Sequence, residues 1–407
     1  MSIHLFRGVL LCTLLALGCT TLGLSANTPS ASTTQPAIVT ANNTFGFQLY
    51  SELAKKGGQQ NLFISPLSLE YALTMTANGA HGETFTQMAK TLGWGAMPLP
   101  QVNAGFQALT KRMQTTDPKV QITLANSLWM PKDTALPASF VQTNNRYFGA
   151  EVRTVNMTDP STVPAMNAWV NKKTNGMIPT LVQQGDLDIN TLLVLLNALY
   201  FKGEWTTSFA AKLTTSQPFT AGDGTRPTVK MMRRTGTWQY YVDDQVQMAR
   251  LPYGDGAMSM LIILPRAGKT LDTVAQSVFT QTTWHNYRAK LAPHEGTLCL
   301  PRFKANYSTN LNDALQALGM TDAFNAGNGA EFFGAPKRSI WIQIVRHKTA
   351  LEVSEAGTKA AAATEVVIET KSVQPSRFSM IVDHPFLFAI QHKDGALLFL
   401  GSIMKPE

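Results

Sequence analysis

The chain is poor in cysteine, with three in 407 residues. Cys12 and Cys19 fall in the first twenty residues, so the body of the protein holds only Cys299 and cannot form an internal disulfide. An exported domain without disulfides must draw its stability from its core. Cys299 stands in the apolar run Leu298-Cys299-Leu300-Pro301, which reads as a strand, and the residue reads as a small buried hydrophobe rather than a nucleophile. Charge is missing too. No Asp, Glu, Lys or Arg occurs between Arg7 and Glu52. Lysine and arginine number 34 against 26 acids, a net charge of +8, yet the basic residues come as pairs such as Lys55-Lys56, Lys111-Arg112 and Arg233-Arg234. No run of five or more speaks for nucleic acid. Also absent are a Gly-x-Ser-x-Gly elbow, His-Glu-x-x-His, Cys-x-x-Cys and a phosphate loop. The chain is therefore read as a non-enzyme without catalytic residues, metal or cofactor.

The uncharged start has its own pattern. Residues 8–17 are almost wholly apolar and follow Arg7, the arrangement of a signal peptide over 1–18, too short to span a membrane as a mature helix. Two cleavage readings stand. Leu15-Ala16-Leu17-Gly18-Cys19 looks like a loose bacterial lipobox, which would lipidate Cys19 and attach the protein to a membrane; the alternative is ordinary cleavage near Ala26 and free secretion. Either way the protein is expected to be exported, to the outside or to the cell envelope. Residues 19–40, rich in Thr, Ser, Ala and Pro, suit a flexible tether. Sequons at Asn42, Asn156 and Asn306 matter only for a eukaryotic source.

From residue 41 on, an apolar content of 44% and aromatic content of 9% are those of a globular protein. Helices are predicted over 41–56, after Ser65-Pro66, over 83–92 to Gly93, over 163–175 to Gly176, and over 309–319 to Gly319. Ser65 is a ready cap for the second of these. Residues 189–201 form an apolar run that suits a central strand buried on both faces. Short strands are expected around 229–232, 237–242, 246–252, 257–264 and 296–303, and a final pair, 386–391 and 396–401, turns at Lys393-Asp394-Gly395. Helices first and strands afterwards indicate an α+β fold.

The most telling stretch is 355–372, Glu-Ala-Gly-Thr-Lys-Ala-Ala-Ala-Ala-Thr-Glu-Val-Val-Ile-Glu-Thr-Lys-Ser. With a period of two, Thr358, Ala360, Ala362, Thr364, Val366 and Ile368 share one small-then-apolar face, and Lys359, Glu365 and Glu369 share the other. That is the pattern of a half-buried strand. Four consecutive alanines nevertheless suit a helix better than a strand, so the segment fits a sheet without being committed to one.

This stretch resembles the hinge and reactive-centre loop of the serpins. Other motifs follow in that family's order across residues 41–407: Asn61-Leu62-Phe63-Ile64-Ser65-Pro66-Leu67-Ser68, Gly79-Ala80-His81-Gly82-Glu83-Thr84, Asn167-Ala168-Trp169-Val170 with Thr174-Asn175-Gly176, Asn197-Ala198-Leu199-Tyr200-Phe201-Lys202-Gly203-Glu204-Trp205, Leu300-Pro301-Arg302-Phe303, His347-Lys348 and Asp383-His384-Pro385-Phe386-Leu387-Phe388. The resemblance implies one compact α+β domain over 41–407, with helices packed on a large central mixed sheet and smaller sheets, and an exposed reactive-centre loop over about 355–377. It implies a suicide inhibitor of serine proteases that forms a covalent complex, and a monomer. Counted from Glu355 as the first, the seventeenth residue is Lys371, which sets the reactive bond at Lys371–Ser372 and points to a trypsin-like target. Glu355, Gly357, Thr358 and Ala360, Ala361, Ala362 and Ala363 would form the hinge. Ser65, Ser68, Asn197 and His347 would form a structural cluster beneath the opening sheet, with Trp205 where the loop first enters. Lys359 stands where many inhibitors carry Glu. Lys111-Arg112 lies where some serpins bind glycosaminoglycans, but two residues are too few to infer such a site. The rival reading is a non-inhibitory serpin that serves as a binding, carrier or surface-interaction protein.

Overall fold

The computed structural model describes residues 31–407 apart from 115–116, 133–135, 189–190, 192, 326, 328, 334–339 and 359–376, with the side chains of 31–35 and 198 also outside it. In chain order the elements are α1 (Ala31–Gly57), β1 (Leu62–Ile64), α2 (Pro66–Ala77), α3 (Gly82–Thr91), α4 (Leu99–Met113), β2 (Val120–Pro131), α5 (Ala138–Phe148), β3 (Glu151–Val155), α6 (Thr162–Lys173) and β4 (Val194–Glu204). There follow β5 (Thr215–Pro218), β6 (Thr228–Val242), β7 (Val246–Tyr253), β8 (Met258–Pro265), α7 (Leu271–Val278), α8 (Gln281–Lys290), β9 (Ala292–Pro301), β10 (Phe303–Asn310), α9 (Asn312–Ala317), β11 (Arg346–Ser354), β12 (Gly357–Thr358), β13 (Phe378–Ile381), β14 (Phe386–His392) and β15 (Leu397–Ile403).

The order of helices first and strands later is the predicted one. α1 differs: it begins at Ala31, inside the stretch expected to be a tether. Ile38, Val39 and Ala41 are buried in the core, and this apolar contact outweighs the loop-like composition around Pro36. The two strands expected at 229–232 and 237–242 are one, β6. α9 is shorter than the predicted helix, because Thr309 and Asn310 pair with β11 as the end of β10. α4, α5, α7 and α8 had no strong sequence signal. α8 buries only Trp284 and Tyr287, too few residues to show a periodic stripe.

The strands form two sheets. One, nine-stranded, runs β1-β15-β14-β8-β7-β6-β9-β13, with β5 on β6. The other, six-stranded, runs β10-β11-β12-β4-β2-β3. β14 and β15 are buried at every position, and their Phe388 and Phe399 stack with Phe63 of β1. α2 enters this core below the six-stranded sheet. Ser65 caps it by accepting a hydrogen bond from the Ser68 N–H, and Pro66 takes the first helical position, where its missing N–H costs nothing. α6 covers the opposite face of that sheet: Met166, Trp169 and Val170 pack with Trp129, Val194 and Leu196.

Candidate functional site

The feature that organises the site is β12, a strand of two residues between two long ones. Thr358 pairs with Val353 of β11 on one side and Gly203 of β4 on the other; Gly357 pairs with Ser354 and Glu204. Beyond these pairs no strand among the described residues joins β11 to β4. The six-stranded sheet therefore has a seam that is closed at its upper end by two residues.

The chain takes this position for identifiable reasons. Gly357 has φ +144°, and a Cβ there would stand 2.1 Å from the Gly203 carbonyl oxygen, so only glycine fits. A Cβ on Gly203 would in turn meet the Tyr253 ring at 2.7 Å. Thr358 is fully buried and shares a 2.7 Å hydrogen bond with the Tyr253 hydroxyl. Burial pushes that phenol well above its ordinary range, outweighing the opposing pull of the Thr358 hydrogen bond, so it stays a hydroxyl. Trp205 stacks on Tyr253 with ring centroids 4.4 Å apart. Its indole N–H donates to the Ser354 carbonyl at 2.9 Å and its backbone N–H to the Ala356 carbonyl at 3.0 Å. Glu355 is held by Arg302 at 2.5 Å and by the Thr214 hydroxyl at 2.5 Å. Burial pushes this carboxyl upward, but the Arg302 and Thr214 contacts outweigh it and hold the group below its ordinary value.

Halfway down the seam lies the second group of expected residues. The Ser65 N–H donates to His347 Nε2 at 3.1 Å, and the Ser65 hydroxyl donates to the Leu398 carbonyl at 2.7 Å. Burial depresses the imidazole to about 3, so the ring is neutral and its Nε2 lone pair faces the amide. Ser65, Ser68 and His347 are thus joined. Asn197 stands apart from them on β4, donating to Asn126 Oδ1 at 2.5 Å. Its own Oδ1 is buried with no hydrogen-bond partner among the described residues.

Of the expected loop, Gly357 and Thr358 are therefore part of a sheet rather than exposed, and Glu355 and the buried Ala356 form the turn that leads into it from β11. Ala360, Ala361, Ala362, Ala363, Lys371 and Ser372 lie outside the described residues, as does Cys19. After them β13 returns the chain to the nine-stranded sheet, parallel to β9. Sequence reasoning missed Tyr253, Thr214 and the role of Arg302. A lone Tyr or Thr between strands carries no signal, although Arg302 stood in a quoted motif. Cys299 is a free thiol buried in β9, raised above its ordinary value by burial. Among the described residues no group of His, Cys, Asp or Glu could hold a metal, and no helix is long and apolar enough to cross a membrane.

Comparison with known proteins places these features. Residues 40–406 match the family described as Serpin (serine protease inhibitor). The chain is 33% identical to the human leukocyte elastase inhibitor over 379 residues, covering 91% of this chain and 99% of the other. Among solved structures it is similar to the native state of tengpin, a thermophilic serpin, with a TM-score of 0.83, 29% identity and coverage of 90% and 94%. It is also similar to human thyroxine-binding globulin in complex with thyroxine, with a TM-score of 0.83, 25% identity and coverage of 92% and 99%.

Proposed function

This chain belongs to the serpin family, and from that premise we propose that it is a suicide inhibitor of trypsin-like serine proteases, cleaved at Lys371–Ser372. The observation that carries this reading is the seam: its first two positions are filled by the hinge, in register, and the residues that follow in the chain are small. The protease serine hydroxyl attacks the Lys371 carbonyl carbon. The amide bond to Ser372 breaks, the Ser372 nitrogen takes a proton and leaves, and Lys371 remains as an ester on the enzyme. The freed arm then fills the seam as a full strand and carries the protease with it. Seventeen extended residues, Glu355 to Lys371, span roughly 55 Å at about 3.3 Å each.

The register of β12 supports this use of the seam. Each step forward from Thr358 meets one step back from Val353 on β11 and from Gly203 on β4. Six steps bring Thr364 between His347 and Asn197, within reach of the buried Asn197 Oδ1 that lacks a partner. The small residues 360–363 precede it and keep the barrier to entry low. Lys359 falls opposite Glu352 on the outer face, where its charge is tolerated.

The test is to mix the purified protein with trypsin and examine the product on a denaturing gel with mass spectrometry. A covalent band near the summed masses, with a released peptide that starts at Ser372, is the expected result. Cleavage at Lys371 without a complex and without a rise in melting temperature would refute the reading. A second reading, a carrier, is favoured by a cavity of about 600 Å³ between α1 and α7, floored by Phe47, Tyr50 and Phe279 and rimmed by Glu52, Gln276 and Asp272. It requires that an apolar ligand in this cavity raise the melting temperature of the uncleaved protein.

A further inference from the structure

The cavity of about 600 Å³ between α1 and α7 has the size of a small-molecule site, and its lining follows from helical spacing. Phe47, Ser51 and Ala54 of α1 stand at i, i+4 and i+7. Asp272 and Ala275 of α7, with Phe279 just after it, stand at i, i+3 and i+7, so each trio shares one helix face. The rings form an aromatic floor: Phe47 and Phe279 stack with centroids 5.5 Å apart, and Tyr50 meets Phe279 edge to face at 4.8 Å. Tyr50 bonds Ser402 through its hydroxyl, so what it offers the cavity is its ring. Ser51, Ala54 and Ala275 are too small to fill the space between the helices.

The rim is acidic, in a chain whose net charge is +8. Glu52 comes from α1 and Asp272 from the first turn of α7, and Lys55 is the only cation in the lining among the described residues. Lys55 is already engaged: its Nζ lies 2.6 Å from Glu52 Oε2. The partners are unequally placed. The Glu52 side chain is 16% exposed and that of Lys55 67%, so the carboxylate belongs to the cavity and the ammonium reaches it from solvent. Lys55 thus shows that an ammonium fits on Glu52, and its own hold there is that of an exposed side chain. An anion would meet two acids and a lysine that is taken. A ring-bearing cation would meet aromatic faces, which attract both its ring and its charge, and a sheltered carboxylate. We propose that the α1–α7 cavity is a binding site for a ring-bearing organic ammonium ion, which seats its ring on Phe47, Tyr50 and Phe279 and displaces Lys55 from Glu52. Gln281 lines the same cavity, and its Oε1 is buried with no partner among the described residues. It offers an acceptor to a ligand that carries a further donor.

The site rests on the carrier reading of this cavity and not on loop insertion, and the experiment keeps cavity and charge apart. The uncleaved full chain is titrated by calorimetry at neutral pH with naphthylmethylamine, with the neutral naphthylmethanol and with naphthoate, and is melted in the presence of each. The amine is expected to bind most tightly and to raise the melting temperature, with an affinity that falls as salt rises. Glu52→Gln is expected to weaken the amine by roughly three- to tenfold, the scale of one charge-assisted hydrogen bond. Lys55→Gln removes the competitor and is expected to tighten the amine by roughly two- to threefold, the scale of an exposed ion pair. Neither variant changes binding of the alcohol. Damage to the fold would move both variants the same way, so opposite signs belong to the exchange. Ala275→Phe fills the cavity and is expected to abolish binding of amine and alcohol alike. Alcohol bound as tightly as the amine, or a preference for naphthoate, overturns the proposal and leaves the cavity as an apolar site. Absence of binding by all three probes overturns the carrier reading with it. Amine binding that survives Ala275→Phe puts the ligand elsewhere and overturns the site.

Discussion

The two sheets are made of similar residues and end in different states. In the nine-stranded sheet β15 lies between β1 and β14, β14 between β15 and β8, and these strands are buried at every position. In the six-stranded sheet β4 and β11 are longer strands, and β11 alternates buried and outward positions; among the described residues their shared seam holds two residues, and the buried Asn197 Oδ1 on β4 has no partner. Both sheets have well-formed cores. Among the described residues, β4 and β11 are bridged at two positions only, whereas β14 and β15 are paired on both sides.

The sharpest way to break this contrast is to block the seam at its mouth. Thr358 is fully buried against Tyr253, so Thr358→Arg is expected to abolish the covalent complex while leaving cleavage at the loop; a variant that still traps trypsin would show that the seam is not used. Next in size is a lesion in the filled sheet. Phe388→Ala should lower the stability of intact and cleaved protein alike by about 3–5 kcal/mol, as read by denaturant unfolding; unequal losses would mean that the two sheets are coupled. Acid comes third. His347 titrates near 6.5 unfolded and near 3 in the fold, so its contribution is present above 6.5 and is lost as pH falls toward 3, at a cost of a few kcal/mol. His347→Gln should remove most of that slope in melts between pH 7 and 4. The smallest effect is expected at Glu70 of α2, fully buried with its Oε2 unpartnered among the described residues and Oε1 accepting from the Trp94 indole. Burial raises this carboxyl well above its ordinary 4.5; its stability contribution is present below 4.5 and drains as pH rises. Glu70→Gln should therefore gain more stability at pH 8 than at pH 4, as read by denaturant unfolding, and a gain independent of pH would mean that Glu70 is ionised in the fold.

Much of this was legible in the sequence. The Ser65-Pro66 cap and the terminal strand pair are local patterns that the structure carries as read; the alternation over 359–369 lies outside the described residues. The apolar run at 189–201 announced a buried strand, and β4 is that strand shifted a few residues onward, to Glu204. What could not be read was the state of the hinge. Period two says that Thr358 faces inward when it is in a sheet; it does not say that Gly357 and Thr358 are already there, which depends on Gly203 leaving room and on Tyr253 and Trp205 closing over them. The ion pair of Asp186 with Arg346 of β11 was invisible for the same reason, since 160 residues separate its partners. The extent of α1 was misread because residues 31–40 carry loop-like neighbours around an apolar pair.

The place of β14 and β15 in the chain has a consequence for the protein's synthesis. They are made after every other element described, yet β1 pairs with β15, and Asn42 and Asn43 of α1 bond to the carbonyls of Leu397 and Gly395. The first helix must wait for the last strands. Until those strands leave the ribosome, β1 has no neighbour in its sheet and the two asparagines of α1 have no carbonyls to bond, so the nine-stranded sheet and the core behind it close last.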